Sequence, residues 1–322
     1  MSKLVMSCAL ATSDQSHEHA RIAEQLGFTR AWFYDSPALY PDVWVQLCRA
    51  AERTTRIGLG PAVLIPNLRH PMTNAAAIAT LAGLAGAERV SVVIGSGFTG
   101  RLTLGQRPLP WRYVAEYVGC VKALLRGEQV EWEGAPIMMM HPPGFGASRP
   151  LNIPIVIAAA GPKGIQVARD MGEGIIASAP IAGFERSILL AMGTVLLPGE
   201  SPGSARAIEA AGHAASVGLH WATEFDALDG LPGGREWAAA YADVPARERH
   251  LALHDQHLIA VNDRDRPFVT GEMLAAQKLA LQPEQWKSRL EGFASAGVTE
   301  IAYQPAGKDI PGELERFAKL FH

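Results

Sequence analysis

Residues 89–100 read Arg-Val-Ser-Val-Val-Ile-Gly-Ser-Gly-Phe-Thr-Gly, a short apolar run followed by a glycine-rich turn. The run is apolar on both faces, which is typical of a strand in a parallel sheet that is covered on both sides. The glycines have the G-x-G-x-x-G spacing of a dinucleotide-binding loop. That loop should follow the first strand of its domain and open into a helix, whereas this one follows the fourth predicted strand and precedes a stretch, Arg101–Pro110, that we predict not to be helical. We therefore interpret Gly95, Ser96 and Gly97 as a tight turn whose backbone approaches a flat ring or a phosphate.

The regular alternation of strand and helix patterns predicts the fold around this turn. Eight strands are predicted, at Leu4–Ala11, Arg30–Tyr34, Ile57–Leu64, Arg89–Ile94, Ile153–Ala158, Gly174–Ser178, Val217–Trp221 and Thr299–Tyr303. Helices are predicted between and after them, at Ser16–Leu26, Asp42–Arg53, Pro71–Leu84, Trp111–Arg126, Gly164–Met171, Phe184–Met192, Ser204–Ala215, Gln285–Ala296 and Pro311–Phe321. Eight such units indicate an α/β fold, a TIM (β/α)8 barrel with insertions at its C-terminal mouth. An open doubly wound sheet gives the same signal with fewer repeats.

Composition restricts the class of protein. The 322 residues are 48% hydrophobic and carry a formal net charge of −3, without a basic block of the kind that binds nucleic acid. We expect one domain over residues 1–322, with a variable insertion or lid around 180–290. No apolar run is long enough for a membrane span. The three cysteines have no CxxC spacing, so we expect reduced thiols in a cytoplasmic protein.

In a barrel of this kind, functional residues follow the C-terminal ends of the strands. Asp35 ends the second predicted strand, where its carboxylate is a candidate partner for a ring N–H or a candidate acid or base; a loop cap is the alternative. After the fifth strand, residues 158–163 read Ala-Ala-Ala-Gly-Pro-Lys and open a helix. A helix N-terminus with a neighbouring lysine is suited to an anion, although a plain strand-to-helix turn has the same composition. Arg69 and His70 are candidates for the mouth or for the surface.

Histidines provide the other candidates. His220 follows the predicted seventh strand, and His250, His254 and His257 share one face if their segment is helical. The string HLALHDQH lacks the glutamate of a zinc-protease helix, and we predict no metal site. An active-site lining role and a solvated or core-edge face remain the interpretations of this segment.

Several stretches, taken together, resemble the bacterial luciferase-like superfamily of flavin- and F420-dependent oxidoreductases, and in particular its methylenetetrahydromethanopterin reductase-like branch. They are Leu81–Leu84 with Arg89–Gly97, Val63–Pro71, Ile155–Pro162 with Gly172–Gly174, and Thr299–Pro305. The resemblance covers most of the chain and weakens across residues 180–290. It implies a barrel that binds F420 or reduced FMN at its C-terminal mouth, and commonly a homodimer or higher homo-oligomer.

The resemblance also implies roles for particular residues. A non-proline cis peptide is implied at Ala62-Val63, supporting the ring, with Gly95, Ser96 and Gly97 flanking it and Asp35 near it. The phosphate tail is implied at Ala159, Ala160, Gly161, Pro162 and Lys163. Asp35, His254 and His220 are the candidate catalytic residues. Sugar-phosphate dehydrogenases of the superfamily have a histidine after the strand-2 aspartate and a glutamate after the strand-4 glycines, where this chain has Ser36 and Thr99 or Gly100. A glucose-6-phosphate-type activity is therefore not expected.

We accordingly predict hydride transfer between F420 and a small ketone, enone or alcohol. One alternative is an FMN-dependent monooxygenase that uses dioxygen and a partner flavin reductase, and another is a cofactor-free, non-catalytic barrel.

Overall fold

A computed structural model describes residues 4–230 and 233–321. Twelve strands lie in the described residues: β1 (Val5–Leu10), β2 (Arg30–Phe33), β3 (Gly58–Pro61), β4 (Val92–Gly95), β5 (Val130–Trp132), β6 (Ala135–Ile137), β7 (Ile155–Ala158), β8 (Ile175–Ala177), β9 (Ser187–Met192), β10 (Thr194–Val195), β11 (Ala280–Leu281) and β12 (Glu300–Gln304). The α-helices of the same residues are α1 (Ser16–Gln25), α2 (Val43–Ala51), α3 (Pro71–Ala85), α4 (Phe98–Leu102), α5 (Trp111–Arg126), α6 (Pro162–Met171), α7 (Ala205–Glu224), α8 (Gly234–Ala239), α9 (Arg249–Leu253), α10 (Gly271–Ala276), α11 (Pro283–Ser295) and α12 (Ile310–Ala318).

Eight strands form one parallel sheet in the order β3-β2-β1-β12-β9-β8-β7-β4. Two parallel bridges, Leu59 with Val90 and Leu64 with Ile94, join β3 to the β4 segment and bring the two edges together. The architecture is that of a TIM barrel, and the predicted fold class is confirmed. None of the helices among the described residues is long and apolar enough to cross a bilayer.

Three segments differ from the prediction. The seventh barrel strand is β9, whose residues we predicted to be the helix Phe184–Met192, whereas the predicted strand Val217–Trp221 lies inside helix α7. The run Ser-Ile-Leu-Leu-Ala-Met consists largely of good helix formers, but it is short, mostly buried and followed by Gly193 at φ 125°, as befits a buried strand. A third difference is α4, which starts within the glycine turn and extends into the stretch predicted to be non-helical.

Alternation along the strands separates two layers of packing. One set of side chains points outward against the helices and forms the largest core. The other fills the barrel interior with residues such as Trp32, Val93, Val156 and Ile188. At the end of the barrel where the strands begin, the Trp32 indole donates a hydrogen bond to Glu300 at 2.9 Å, and Arg186 pairs with the same carboxylate. This end is therefore closed by side chains, so a ligand can enter only at the opposite mouth.

The chain leaves the barrel after β9 and returns at β12. The excursion, residues 193–299, contains β10, β11 and helices α7 to α11, with small cores of its own. Its residues 250–259 lie against the barrel mouth, where the hydroxyl of Tyr40 donates to the carbonyl of His257 at 2.5 Å. The single-domain boundaries and a lid role for 180–290 stay predictions.

Candidate active site

A cavity of about 220 Å³ opens at the C-terminal ends of β2, β3 and β4. Its wall is mostly apolar and contains many residues singled out from the sequence; it consists of Tyr34, Asp35, Ser36, Tyr40, Ala62, Val63, Ile65, Gly95, Ser96, Gly97, Phe98, Thr99, Gly100, Ala158, Leu190 and Leu258. We call it the ring cavity. The structure thus brings Asp35, the Ala62-Val63 pair and the glycine turn to one place. The three features follow three different strands, and the C-terminal ends of barrel strands meet at the same mouth.

The glycine turn has no room for side chains. A Cβ on Gly95 would lie 2.9 Å from Cγ1 of Val63, and one on Gly97 would lie 2.6 Å from Cγ2 of Ile65. Gly97 also has φ 82°, in the left-handed region that favours glycine. Because these glycines hold no side chain, the backbone itself forms the floor of the ring cavity.

The opposite wall is the segment that follows β3. The Ala62-Val63 peptide is cis, as the family resemblance implied. Leu64 then bridges to Ile94, which fixes this segment beside the glycine turn. The role of Ala62 and Val63 in supporting a ring stays a prediction.

Asp35 is held by an arginine. Its Oδ2 accepts from Nη1 of Arg69 at 2.6 Å, and the carboxylate side chain is 1% exposed. Burial raises the pKa of Asp35, and the Arg69 guanidinium opposes that rise. Arg69 also pairs with Asp42, the N-cap of α2, at 2.7 Å. Arg69 is thus mostly buried at the mouth, whereas the exposed His70 caps α3 through Nδ1.

Two tyrosines, Tyr34 and Tyr40, line the ring cavity together with Asp35. The Tyr34 side chain lines the ring cavity, and its hydroxyl is buried and has no hydrogen-bond partner among the described residues. Tyr40 lines the same cavity and donates its hydroxyl to the His257 carbonyl. An unpaired buried hydroxyl is costly unless a ligand satisfies it. The Tyr34 hydroxyl is therefore a buried polar group that the protein itself leaves unsatisfied.

A second and larger cavity, of about 410 Å³, adjoins the first through Tyr40. It is lined by Ala38, Leu39, Tyr40, Thr103, His250, Leu251, His254, Asp255, Gln256, His257 and Ile259. Thr99, from the ring cavity, approaches it, with Oγ1 3.5 Å from Nε2 of His257. The wall residues include His254 but not His220, which lies on α7 and does not follow a strand. We call this the histidine cavity.

His220, His254 and His257 nevertheless lie together and are all buried. Their ring centroids are 4.7 to 6.1 Å apart. Nδ1 of His254 lies 3.2 Å from Nδ1 of His257, and Nε2 of His220 lies 2.9 Å from Oδ2 of Asp265. Burial lowers the pKa of His254 to about 4 and that of His257 to about 2, so both rings are neutral near pH 7.

The predicted phosphate turn lies beside the mouth but does not line either cavity. Gly161 is the N-cap of α6 and Pro162 its first residue. The side of the turn is open, since nothing lies within 4 Å of a Cβ on Gly161 and Lys163 is exposed. The placement of Ala159, Ala160, Gly161, Pro162 and Lys163 is compatible with an anion outside the ring cavity.

Sequence reasoning missed several residues of this region. Tyr34, Tyr40 and Leu258 were not considered, although Tyr34 is adjacent to Asp35 and a tyrosine at a strand end was a usable signal. Asp265 could not be found from the sequence, because it lies 45 residues from His220 along the chain and the two side chains meet only in the folded protein. Phe98 also lines the ring cavity, and its ring stacks on that of the exposed Phe225 with 6.4 Å between the ring centroids.

A closed barrel with its cavity at the strand ends is the architecture of barrel enzymes. The model of the luciferase-like monooxygenase family matches residues 9–300, and the chain belongs to that family. The protein is therefore an enzyme of this superfamily. The F420-dependent glucose-6-phosphate dehydrogenase of Beutenbergia cavernae is 27% identical, over 92% of this chain and 89% of that protein.

Other comparisons agree with this assignment. A 5,10-methylenetetrahydromethanopterin reductase of Archaeoglobus fulgidus is 30% identical, but the match covers only 50% of this chain and 48% of the reductase. The solved F420-dependent tetrahydromethanopterin reductase of Methanopyrus kandleri superposes with a TM-score of 0.70 at 18% identity, covering 99% of this chain and 98% of the other. That likeness shows the fold.

Proposed function

We propose that the protein transfers a hydride between the deazaflavin coenzyme F420 and a small organic substrate such as a ketone, an enone or an alcohol. The observation that carries the proposal is the ring cavity, whose floor is bare backbone at Gly95 and Gly97. A flat aromatic ring is the kind of group that such a floor admits and a side chain would exclude. The F420-dependent relatives named above support the choice of this coenzyme.

The residues present fit such a group. Most of the wall is apolar, as the faces of a ring require, and its polar side chains are those of Tyr34, Asp35, Ser36, Tyr40, Ser96 and Thr99. The unpaired Tyr34 hydroxyl would find its partner in a polar edge of the ring. Ala62 and Val63 would support one face from the β3 side.

The turn before α6 would hold the phosphate tail. The first backbone N–H groups of a helix lack partners within the helix, and the positive end of its dipole favours an anion. Here Ile165 makes the first intrahelical bond, to Gly161, which leaves the N–H groups of Lys163 and Gly164 for a ligand. Lys163 adds a positive charge, and Ala159 and Ala160 keep the approach open.

When bound, F420 supplies the hydride acceptor or donor, and the chain supplies orientation and management of the accompanying proton. Arg69 holds the Asp35 carboxylate in place at the edge of the ring cavity. This carboxylate would therefore bind or orient the coenzyme from a fixed position. The Tyr34 hydroxyl, which has no hydrogen-bond partner among the described residues, would be one proton-bearing group beside the cavity. His254, on the wall of the histidine cavity, is the candidate proton carrier on the substrate side; His220 would act only through its neighbours, since it lies behind that wall.

The substrate would lie toward the histidine cavity and the Phe98 wall. The chain has Ser36 and Thr99 or Gly100 where sugar-phosphate dehydrogenases carry a histidine and a glutamate, which favours a substrate other than glucose 6-phosphate. A homodimer or higher oligomer is part of the proposal through the family resemblance.

Titration of the protein with F420 and separately with FMN, followed by fluorescence quenching, tests the proposal. We expect saturable binding of F420 that is at least about tenfold tighter than that of FMN, equivalent to about 1.4 kcal/mol. Tighter FMN binding would instead indicate a monooxygenase that needs a flavin reductase. Binding of neither would indicate the cofactor-free barrel.

A charge reversal isolates the phosphate turn. Lys163→Glu should weaken F420 and FMN alike, and should leave binding of a phosphate-free deazaflavin ring unchanged. The matched control is Lys319→Glu, a reversal at an exposed lysine just after α12. Equal weakening by both variants would remove the turn from the proposal while leaving the ring cavity in place.

A further inference from the structure

We propose that His220, His254 and His257 form a binding site for one divalent transition-metal ion of the zinc type, with three imidazole ligands and one remaining coordination position. The inference does not depend on F420 binding, because it rests on a cluster outside the ring cavity. For His254 and His220 it is an alternative to proton transfer, since ligation would occupy the ring nitrogens that a proton would need.

The spacing of the nitrogens carries the inference. One nitrogen from each of the three histidines lies within 4.8 Å of those of the other two. The Nδ1 atoms of His254 and His257 are 3.2 Å apart. Two ligands of a tetrahedral zinc ion with bonds of about 2.0–2.1 Å are separated by about 3.3 Å. These two rings therefore already have the separation of zinc ligands.

Asp265 prepares the third ligand. Nε2 of His220 lies 2.9 Å from Oδ2 of Asp265, and a carboxylate in this position accepts a hydrogen bond from Nε2, which leaves Nδ1 as the nitrogen for a metal ion. That Nδ1 is buried and has no hydrogen-bond partner among the described residues. A carboxylate behind a histidine whose other nitrogen is free is the arrangement found behind metal-bound imidazoles.

Asp265 is itself held firmly. Oδ1 accepts from the Trp237 indole at 2.7 Å and from the Tyr241 hydroxyl at 2.8 Å, and Oδ2 accepts from Nδ2 of Asn262 at 3.1 Å. The carboxylate is 1% exposed. This shell fixes the orientation of the His220 ring, so a ligand is preorganised on α7 before any ion arrives.

The segment that carries His257 is shaped against local preference. Its two neighbours, Gln256 and Leu258, have φ values of 57° and 61°, which side-chain-bearing residues rarely adopt. The Tyr40 hydroxyl and the Gln304 amide hold the carbonyls of His257 and Leu258 at 2.5 and 2.7 Å. Unfavourable backbone that the surroundings hold in place is typical of functional sites.

The remaining position would lie toward the histidine cavity, whose wall contains His254 and His257. Three protein ligands with one position left for water or another small ligand is the composition of open zinc sites rather than of closed structural ones. The HLALHDQH string alone lacked a third ligand, and folding supplies it from α7.

Zinc binding to the untagged, full-length protein tests the proposal. The metal is removed with a chelator, and Zn²⁺ is then titrated in competition with a chromophoric chelator. We expect one tight equivalent per chain, and substitution by Co²⁺ should give the absorption of a tetrahedral ion. His254→Gln and His257→Gln should each abolish the tight equivalent, and Asp265→Asn should weaken it about 10- to 100-fold.

His250→Gln is the matched control, since His250 lies on the same segment and lines the same cavity but is outside the cluster. It should bind zinc as the unaltered protein does. Circular dichroism establishes that each variant is folded, and a zinc-dependent rise in the Tm of the unaltered protein provides a readout that needs no variant. Absence of a tight equivalent in the unaltered protein, or its survival in the double variant H254Q/H257Q, would overturn the inference. Neither outcome bears on F420 binding.

Discussion

Arg69 and Asp35 form an ion pair at the edge of the ring cavity, with 2.6 Å between Nη1 and Oδ2 and almost no exposure of the carboxylate. The two residues come from different barrel loops, after β2 and after β3, so the pair ties these loops together at the mouth. The Arg69 carbonyl in turn accepts from the Tyr117 hydroxyl of α5 at 2.9 Å. The arginine is thus part of the framework of the cavity and not a surface residue.

Removing the arginine should be costly. Arg69→Met leaves the Asp35 carboxylate buried without its counter-charge, and loss of one partner of a buried pair typically costs about 3–5 kcal/mol. The free energy of unfolding, measured by urea denaturation at pH 7, should fall by about this amount. The double variant D35N/R69M, which buries no charge, should recover a large part of the loss.

The control for this experiment is the exposed pair of Arg112 and Glu116 on α5. Arg112→Met should change the free energy of unfolding by less than about 1 kcal/mol, because solvent screens such pairs. If the R69M and R112M variants were equally stable, the Asp35 pair would contribute nothing to the framework.

Acid should weaken the fold partly through Glu200. Burial alone would raise the pKa of this carboxyl, but hydrogen bonds from Arg206, the Leu197 N–H and the Ser204 hydroxyl lower it to about 2. Since the folded-state pKa lies below the ordinary value of 4.5, the stabilisation is complete above that value and is lost as the pH falls toward 2.

Glu200→Gln should therefore be less stable at neutral pH and should lose less stability on acidification. The measurement is the urea midpoint at a series of pH values from about 6 down to about 3. Glu291→Gln, at an exposed position of α11, should retain the pH dependence of the unaltered protein. Parallel curves for all three proteins would remove Glu200 from the account.

Much of the barrel could be predicted from the sequence because its strands are short apolar runs between helices with clear ends. The prediction failed where the intrinsic secondary-structure preference of a segment differs from the structure that its packing imposes. Ile188 to Met192 have side chains that suit a helix, and only pairing with β8 and β12 makes them a strand. Conversely, Val217 and Trp221 suit a strand, but they lie within the long helix α7, where Trp221 is exposed.

The site was predictable where it is local and not where it is tertiary. The glycine turn could be read directly, because its backbone conformation depends on its own residues. The partners of Asp35 and His220 are Arg69 and Asp265, which are 34 and 45 residues away along the chain. Such pairings depend on how the loops meet, and a single sequence contains no local signal for them.

Gly100→Ala should reduce the room for a ring. A Cβ at this position would lie 2.3 Å from Cδ1 of Ile65, the flexible end of a side chain that lines the ring cavity. Ile65 must then move, and we expect F420 to bind about tenfold more weakly, a change of about 1.4 kcal/mol. Gly83→Ala is the control, since a Cβ there meets only ordinary contacts on α3 and replaces a helical glycine by a better helix former. Undiminished F420 binding by G100A would show that the ring does not occupy this cavity.

Tyr34→Phe should separate stability from function. The Tyr34 hydroxyl is buried in the cavity wall without a partner among the described residues, so its removal should raise the free energy of unfolding of the ligand-free protein by about 1 kcal/mol. If the hydroxyl contacts the bound ring or transfers the proton, the same variant should bind F420 more weakly or show a lower kcat. Tyr40→Phe is the matched variant, because it removes a hydroxyl that does donate, to the His257 carbonyl, and it should therefore destabilise the protein by about 1 kcal/mol. A Y34F protein that gains no stability would mean that the hydroxyl is already satisfied in solution, and one that keeps full F420 affinity and turnover would exclude Tyr34 from the reaction.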